Sequence, residues 1–275
     1  MLGEQPAAVD IVETGIVGDR AWGLVDVETG KVASAKHPGV WLAMLGLRAT
    51  YDGPVGTSGS TVPVIELPDG SSVRSDDPDV DARLSTALGR SVHLASEVPK
   101  DASYDEEWPE VEGIAPLEFI ASTRTGRTAS GRELSSLPVG MLTPGTFQDV
   151  APLTLMTTAS LRAARALHPD GDWDDRRFRS TILIDCEGDD FAEQAWVGKK
   201  LQIGDVELSV LAPTPRCAMV TLAQQDLPGD PDVLRTLAKH NRLDVLGSGL
   251  FTCLGVYATV ARGGRIATGD AVELA

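Results

Sequence analysis

Apolar and polar residues alternate over short stretches in the first hundred residues, and glycine, proline or aspartate closes each stretch. Alternation of this kind predicts strands with one buried face. A helical period is also present, because Val80, Leu84 and Leu88 share one face after Asp77-Pro78 and Gly89 suits the helix end. The predicted strands are 9–12, 21–27, 32–34, 42–50 and 62–67.

The segment that follows lacks a sustained period. Residues 97–112 are acidic and contain proline, and residues 122–145 are rich in Ser, Thr, Gly and Arg. We therefore expect long loops here, with at most a short strand, and we place the boundary between two structural units inside them. The expected organisation is an N-terminal β-rich subdomain at 1–100, a loop-rich connection at 101–145 and a second domain at 146–275.

Regular patterns return from Val150 onward. The apolar run 151–156 predicts a strand, residues 157–160 open a helix, and a second helix is expected after Asp230-Pro231. Many short strands with a few capped helices predict a mixed α+β, β-rich fold, in which a β-barrel with segregated helices adjoins a smaller N-terminal β-rich subdomain. The further predicted strands are 181–185, 206–210, 254–260 and 271–274.

Composition narrows the class of partner. The chain has 275 residues and a formal net charge of −16. Nucleic acids and anionic membranes require a basic face, so we expect neither as a partner. The three cysteines are widely spaced and odd in number, which indicates no disulfide framework and favours a reducing, cytoplasmic location. A small anionic ligand in a local basic pocket remains compatible with the charge.

The stretch 206–217 carries the candidate chemistry. Its alternating strand ends at Pro213 and Pro215, which cannot donate backbone hydrogen bonds, and Arg216 and Cys217 follow at once. A neighbouring guanidinium favours the thiolate, which is the form of cysteine that binds metals or attacks electrophiles. The alternative is that Cys217 is a small apolar residue buried at a strand end.

Other local motifs give little support for a different chemistry. The stretch 126–133 superficially resembles a phosphate-binding loop, but Arg132 and Glu133 stand where lysine and Ser/Thr are required, and we predict no strand before it. Arg20, Arg179 and Arg216 each lie beside a predicted strand end. Each could be an ordinary surface charge. Together with Cys217 they could instead form a site for a phosphorylated ligand that needs one thiolate.

Further motifs then follow one another in order along the chain. They are Gly18-Asp19-Arg20-Ala21-Trp22, residues 151–161, Arg177-Phe178-Arg179-Ser180-Thr181-Ile182, residues 191–196, Ile203-Gly204-Asp205-Val206, Thr214-Pro215-Arg216-Cys217, Gly255-Val256-Tyr257 and Gly269-Asp270. In this order the motifs resemble the MOSC family, named for the C-terminal domain of molybdenum cofactor sulfurases. The likeness is strongest to its two-part members, which include the amidoxime-reducing component. It runs from about Gly3 to the C-terminus and is weakest between residues 96 and 145.

The resemblance implies a molybdenum cofactor in its molybdopterin form. Cys217 would be the metal ligand and the catalytic residue, since a soft thiolate suits molybdenum. Arg20, Arg179 and Arg216 would bind the pterin and its phosphate, and Thr157 and Thr158 would donate hydrogen bonds to the same anion. By the same likeness, the expected cofactor-binding residues also include Thr181 and Tyr257.

The resemblance also implies an activity, namely molybdenum-dependent reduction of N-oxygenated small molecules such as amidoximes. No cysteine-rich ferredoxin-like domain follows, so the electrons would come from a separate protein of ferredoxin, flavin or cytochrome type. The alternatives are a cofactor carrier or sulfur-transfer module without reductase activity, and a barrel that no longer binds the cofactor.

The chain departs from the family pattern at two places that concern the cofactor. Relatives have a strand and a Lys-Ser pair upstream of the stretch that begins here at Met1-Leu2. If Met1 is the true start, we expect the barrel strand and the lysine contact to be missing and the phosphate to depend more heavily on Arg20. The alternative is that Lys36 replaces the missing contact. Ser180 and Thr181 stand where many members have proline and asparagine.

Overall fold

The computed structural model describes residues 3–53, 55 and 61–275; Met1 and Leu2, where the upstream departure was noted, lie outside these residues. Short strands joined by turns make up most of the first part of the chain. Its elements are β1 (Ala8–Val12), β2 (Gly15–Ile16), β3 (Gly23–Asp26), α1 (Pro38–Trp41), β4 (Arg48–Tyr51), β5 (Pro63–Glu66), β6 (Ser72–Arg74), α2 (Val80–Leu88) and β7 (Val92–Ala95).

The first part forms small sheets that share a core with α2. Strand β3 pairs with β7, and β4, β5 and β6 form a three-stranded sheet. Leu84 of α2 is fully buried in one cluster with Leu47 and Ile65. Gly89 ends α2 in the left-handed conformation at φ 66°, as the sequence predicts.

The predicted strand 42–50 is wrong over its first half. Residues Leu42–Gly46 form a 3-10 helix, and only Arg48–Tyr51 is a strand. The neighbours Met44 and Leu45 are both buried. Two consecutive buried side chains fit a helical turn, because a half-buried strand buries every second residue.

The segment 101–145, expected to be loop-rich, has regular structure of its own. It contains β8 (Ser103–Glu107), α3 (Leu117–Thr123), β9 (Arg124–Arg127) and β10 (Glu133–Pro138), with the strands in the order β8-β10-β9. Glu106 and Glu107 of β8 are buried beside the cations Lys36 and Arg132. A strand whose buried positions carry charge shows no hydrophobic period, which explains why the pattern missed it.

The stretch 126–133 belongs to this sheet. A strand does lead into it, contrary to the sequence prediction, but the stretch continues through the turn Thr128–Gly131 into β10 rather than into a helix. It is therefore a β-hairpin connection and lacks the helix N-terminus on which a phosphate-binding loop depends.

The last part of the chain is built on one large antiparallel-rich sheet that curls into a nearly closed barrel. The strand order is β12-β11-β16-β14-β13-β18, and β15 also pairs with β16. The elements are β11 (Leu153–Thr157), α4 (Thr158–Leu167), β12 (Ile182–Ile184), β13 (Lys200–Ile203), β14 (Val206–Pro215), α5 (Pro231–His240), β15 (Arg242–Asp244), β16 (Leu250–Arg262), β17 (Gly264–Ala267) and β18 (Val272–Leu274).

Alternation along β14 explains how the barrel is filled. Val206, Leu208 and Val210 are buried in one core cluster with residues of β11, β13 and β16. The pairing of β14 with β16 is irregular between Pro213 and Pro215, because a proline cannot donate to the ladder. The chain therefore leaves the sheet just before Cys217.

Helices α4 and α5 lie together in a second core cluster. Leu161 and Ala164 of α4 share it with Leu234 and Leu237 of α5. The predicted mixed, β-rich architecture with a barrel and segregated helices is thus confirmed. Strand β1 extends to this part of the chain by pairing with β17. Across the described residues, no helix has both the length and the apolar character needed to cross a membrane.

Candidate functional site

Strand ends and loops from all three parts of the chain surround one large cavity of about 2100 Å³. The barrel contributes the end of β14 and the loop before β12, and the N-terminal part contributes the turn that follows β2. Among the polar residues that line it are Arg20, Lys36, Tyr104, Asp149, Arg179, Ser180, Thr181, Thr214, Arg216, Cys217, Gln224 and Tyr257. The cavity therefore brings together the predicted thiol and the three predicted arginines.

Cys217 lies between the end of β14 and the 3-10 helix Ala218–Thr221. Burial and the carboxylate of Glu106 raise the pKa of its thiol to about 11, against the opposing effect of Lys36. The charges of Arg216 and Cys217 attract each other, as the sequence interpretation has it, but burial outweighs this attraction, so the pKa of the thiol lies above rather than below its usual value. A bound metal would lower the pKa of this thiol, because a coordinating thiol loses its proton.

Arg216 is turned into the protein framework. Its Nε donates to the carbonyl of Leu254 at 2.7 Å, and its Nη1 donates to the carbonyl of Phe178 at 2.7 Å. Burial lowers the pKa of the guanidinium. Arg216 thus ties β14 to β16 and to the loop before β12, and only its Nη2 lacks a hydrogen-bond partner among the described residues.

Gly255 makes room for this arginine. Its φ is 77°, and a Cβ at this position would lie 2.5 Å from the Leu155 carbonyl oxygen and 3.0 Å from Arg216 Nη2. A side chain cannot fit between a backbone carbonyl and a fixed guanidinium. The Gly255-Val256-Tyr257 motif therefore has a steric cause in this fold.

Arg20 and Arg179 form the cationic side of the cavity. Both have a left-handed backbone, with φ 49° and 51°, which is uncommon for arginine and costs conformational energy. Burial and the neighbouring Arg20 charge lower the pKa of Arg179 to about 10. Two like charges face one cavity and repel each other, so an anion between them would be stabilised by both.

Arg20 is balanced by carboxylates. Its guanidinium lies 3.9 Å from Asp19 and 3.9 Å from Asp149. Burial opposes its charge, but these two carboxylates outweigh burial and raise the pKa of Arg20. Arg20 therefore stays charged in the cavity wall.

Lys36 is the centre of a buried ionisable cluster. Its Nζ lies 2.9 Å from Asp149, 3.5 Å from Glu106 and 3.1 Å from the Tyr104 hydroxyl. Burial opposes its charge, yet Asp149 and Glu106 hold the pKa of Lys36 well above its usual value. Burial would raise the pKa of Asp149, but the charges of Lys36 and Arg20 outweigh burial and hold this pKa below its usual value. For Glu106 the balance is the opposite, because burial outweighs Lys36 and raises the pKa.

Sequence reasoning named Lys36 as a substitute contact and did not identify Asp149, Glu106 or Tyr104. The structure places Lys36 in the cavity wall. Glu106 was not distinguishable within the acidic run 97–112, because charge alone does not reveal which carboxylate is buried.

Thr157 and Thr158 do not line the cavity. The Thr157 hydroxyl caps α4 by accepting from Ser160 N at 3.0 Å, and it donates to buried Glu193 at 2.6 Å. The Thr158 hydroxyl donates to Asp185 at 2.8 Å. Both hydroxyls act in the framework around the start of α4, so the structure gives no support to their predicted contact with an anion.

Thr181 and Tyr257 do line the cavity. The Thr181 hydroxyl accepts from the Thr154 backbone at 2.9 Å and so holds β12 beside β11. Burial raises the pKa of the Tyr257 phenol, which therefore stays protonated. Tyr257 can act as a neutral hydrogen-bond donor in the cavity.

Polar atoms without partners are concentrated around the cavity. Ser180 Oγ, Thr214 Oγ1, Arg216 Nη2 and Gln224 Oε1 are buried, make no hydrogen bond within the described residues, and belong to residues of the cavity wall. Buried polar groups are normally paired, since an unpaired one is costly. Their accumulation in one wall is typical of a site that binds a polar ligand.

The remaining cysteines differ from each other. Cys253 is fully buried in a core cluster, which agrees with a packing role. Cys186 is only partly buried and also lines the cavity, so packing at a strand end does not explain it. In the part of the chain that the structure describes, no three His, Cys, Asp or Glu side chains cluster closely enough to hold a metal ion.

Fold and site together define a class of protein: a nearly closed β-barrel with a thiol and several cations at one cavity. The family model of the MOSC domain matches residues 143–273, so this part of the chain is a MOSC domain. A search of curated proteins gives no match. The match covers β11 to β18 and includes Cys217, Arg179 and Tyr257.

Proposed function

We propose that the chain binds a molybdenum cofactor of the molybdopterin form, with the Cys217 sulfur as the ligand that the protein supplies. The observation that carries this proposal is the convergence of Cys217 with Arg20 and Arg179 in one cavity. A soft sulfur ligand suits molybdenum, and guanidinium groups suit a phosphate.

The residues present fit such a group. The repulsion between Arg20 and Arg179 would be relieved by the phosphate, and the unpartnered Arg216 Nη2 and Thr214 Oγ1 could serve polar edges of the pterin. When bound, the cofactor supplies a redox-active metal centre. The protein's part is to hold the anion by charge and to keep the neutral Tyr257 phenol in the same cavity.

We further propose that the protein is an oxidoreductase that reduces N-oxygenated small molecules such as amidoximes, with electrons from a separate ferredoxin, flavin or cytochrome-type protein. Its support is the MOSC domain and the resemblance of the N-terminal motifs to two-part family members. A cavity of about 2100 Å³ exceeds the size of most single-ligand pockets and leaves room for a substrate beside a cofactor. We propose a cytoplasmic location from the reduced cysteines.

The test begins with metal content. Protein from a molybdenum-replete host should contain molybdenum and pterin, and Cys217→Ser should lose the metal while circular dichroism stays unchanged. Cys186→Ser is the matched control, because it removes a second cavity thiol and should retain molybdenum. A metal-free wild-type protein from a host with ample cofactor would contradict cofactor binding.

Turnover is tested separately on the loaded protein. With a reduced viologen as electron donor, benzamidoxime should be converted to benzamidine. Bound molybdenum without turnover would favour the alternative of a cofactor carrier or sulfur-transfer module.

A further inference from the structure

Gln224 is a buried amide in the loop that follows Cys217. It stands in a tight turn in which Gln224 N donates to Leu227 O at 3.0 Å and Leu227 N donates to Gln224 O at 2.8 Å. Its Nε2 donates to the Met219 carbonyl at 3.1 Å. Its Oε1 is buried and has no hydrogen-bond partner within the described residues.

The orientation of this amide follows from its neighbour. A carbonyl oxygen can only accept, so the amide NH2 must face Met219 and the oxygen must face the other way. Gln224 is 2% exposed and belongs to the cavity wall. A buried acceptor without a donor lowers stability, and a donor brought by a ligand would remove that penalty.

The acceptor lies in the loop that follows the thiol along the chain. Cys217, Met219 and Gln224 all line the cavity. The hydrogen bond to the Met219 carbonyl thus holds Gln224 to a residue two positions after Cys217 in the chain. A molecule that reacts at a metal on Cys217 would lie against this loop.

We propose that Gln224 Oε1 is a specificity determinant that selects substrates with an N–H or O–H donor next to the N–O bond, an inference that rests on the proposed function. An amidoxime offers both kinds of donor, whereas an aromatic N-oxide offers neither. Ser180 and Thr214 hydroxyls both donate and accept, so they do not discriminate in this way. The oxygen is covered in the structure, so contact with a donor requires the amide to turn about its soft terminal torsion and to exchange its hydrogen bond to the Met219 carbonyl for one to the ligand.

Calorimetric binding to the molybdenum-loaded full chain tests this proposal, with benzamidoxime and pyridine N-oxide as probes. Gln224→Leu removes the acceptor at similar side-chain size. The substitution also leaves the Met219 carbonyl without its donor, which can displace the loop. A displaced loop would weaken the binding of both probes alike, so the measured quantity is the ratio of their Kd values. Loss of one buried hydrogen bond should shift this ratio about tenfold against benzamidoxime.

Gln225→Asn is the matched control. Gln225 is the exposed amide next in the same turn, at φ 49°, a conformation that asparagine tolerates. The control should keep the wild-type ratio. An unchanged ratio in Gln224→Leu, or no measurable benzamidoxime binding by the wild-type protein, would overturn the inference. Benzamidoxime reduction, measured on the same preparations, decides the proposed function separately, because binding selectivity can hold without turnover.

Discussion

The ion pair between Lys36 and Asp149 offers the sharpest test of the cavity's electrostatics. Lys36 Nζ lies 2.9 Å from Asp149, and the two side chains are 16% and 26% exposed. Breaking a buried pair by removing one partner costs about 3–5 kcal/mol. Lys36 keeps Glu106 at 3.5 Å and the Tyr104 hydroxyl at 3.1 Å, so we expect Asp149→Asn to lower the free energy of unfolding by about 2–3 kcal/mol.

A double-mutant cycle isolates the pair from the other contacts. Urea unfolding at pH 7, followed by tryptophan fluorescence, would compare Asp149→Asn, Lys36→Met and the double variant. We expect a coupling energy of about 1–2 kcal/mol, within the range for contacting residues. Asp19→Asn is the control, because its contact with Arg20 is 3.9 Å long and partly exposed, and it should cost less than about 1 kcal/mol.

The pH dependence gives an independent check with a defined sign. Lys36 and Arg20 hold the pKa of Asp149 below its unfolded value of about 3.9, despite burial. Its stabilisation is therefore complete above that value and is lost as the pH falls through the folded pKa. Asp149→Asn should lose less stability than the wild type below about pH 4. A coupling energy below about 0.5 kcal/mol together with identical acid profiles would refute the assignment of this pair.

Three further predictions concern single residues. Because burial and Glu106 raise the pKa of the Cys217 thiol to about 11, its alkylation by iodoacetamide at pH 7.5 should lag behind that of a free thiol such as glutathione and accelerate as the pH approaches 11; mass spectrometry of this site checks the rate, and a pH-independent rate at Cys217 would contradict the prediction. Cys253→Ala should lower the free energy of unfolding by about 1–2 kcal/mol while leaving molybdenum content unchanged, and a folded variant without the metal would argue against a packing role. Arg20→Ala removes a charge-assisted contact of roughly 1.5–3 kcal/mol and should weaken cofactor retention by one to two orders of magnitude, measured as molybdenum per protein after dialysis. Arg20→Gly, which suits the φ of 49°, separates loss of charge from backbone strain, and full occupancy in both variants would exclude Arg20 as a contact.

Local patterns were sufficient for much of the architecture. Alternation over 206–210 placed a half-buried strand correctly, and the helix ending at Gly89 was located from its period and its glycine, because both signals depend on nearest neighbours in sequence. Pro215 is the last residue of β14, as the prolines predicted, but the pairing with β16 runs through both prolines, and Arg216 N still donates to the Thr252 carbonyl at 2.8 Å. These inferences depend on covalent geometry, which does not change with the rest of the fold.

The tertiary structure decided what each charged residue does. Arg216 was indistinguishable in sequence from a ligand-binding arginine, yet two backbone carbonyls hold it in the framework. Glu106 and Asp149 carried no signal in the sequence that set them apart from other acidic residues, and the sheet and the cavity wall place both of them beside Lys36. The energy of each of these charged side chains depends on its burial and on its distance from other charges. Elements far apart along the chain determine both quantities, so the local sequence pattern could not reveal them.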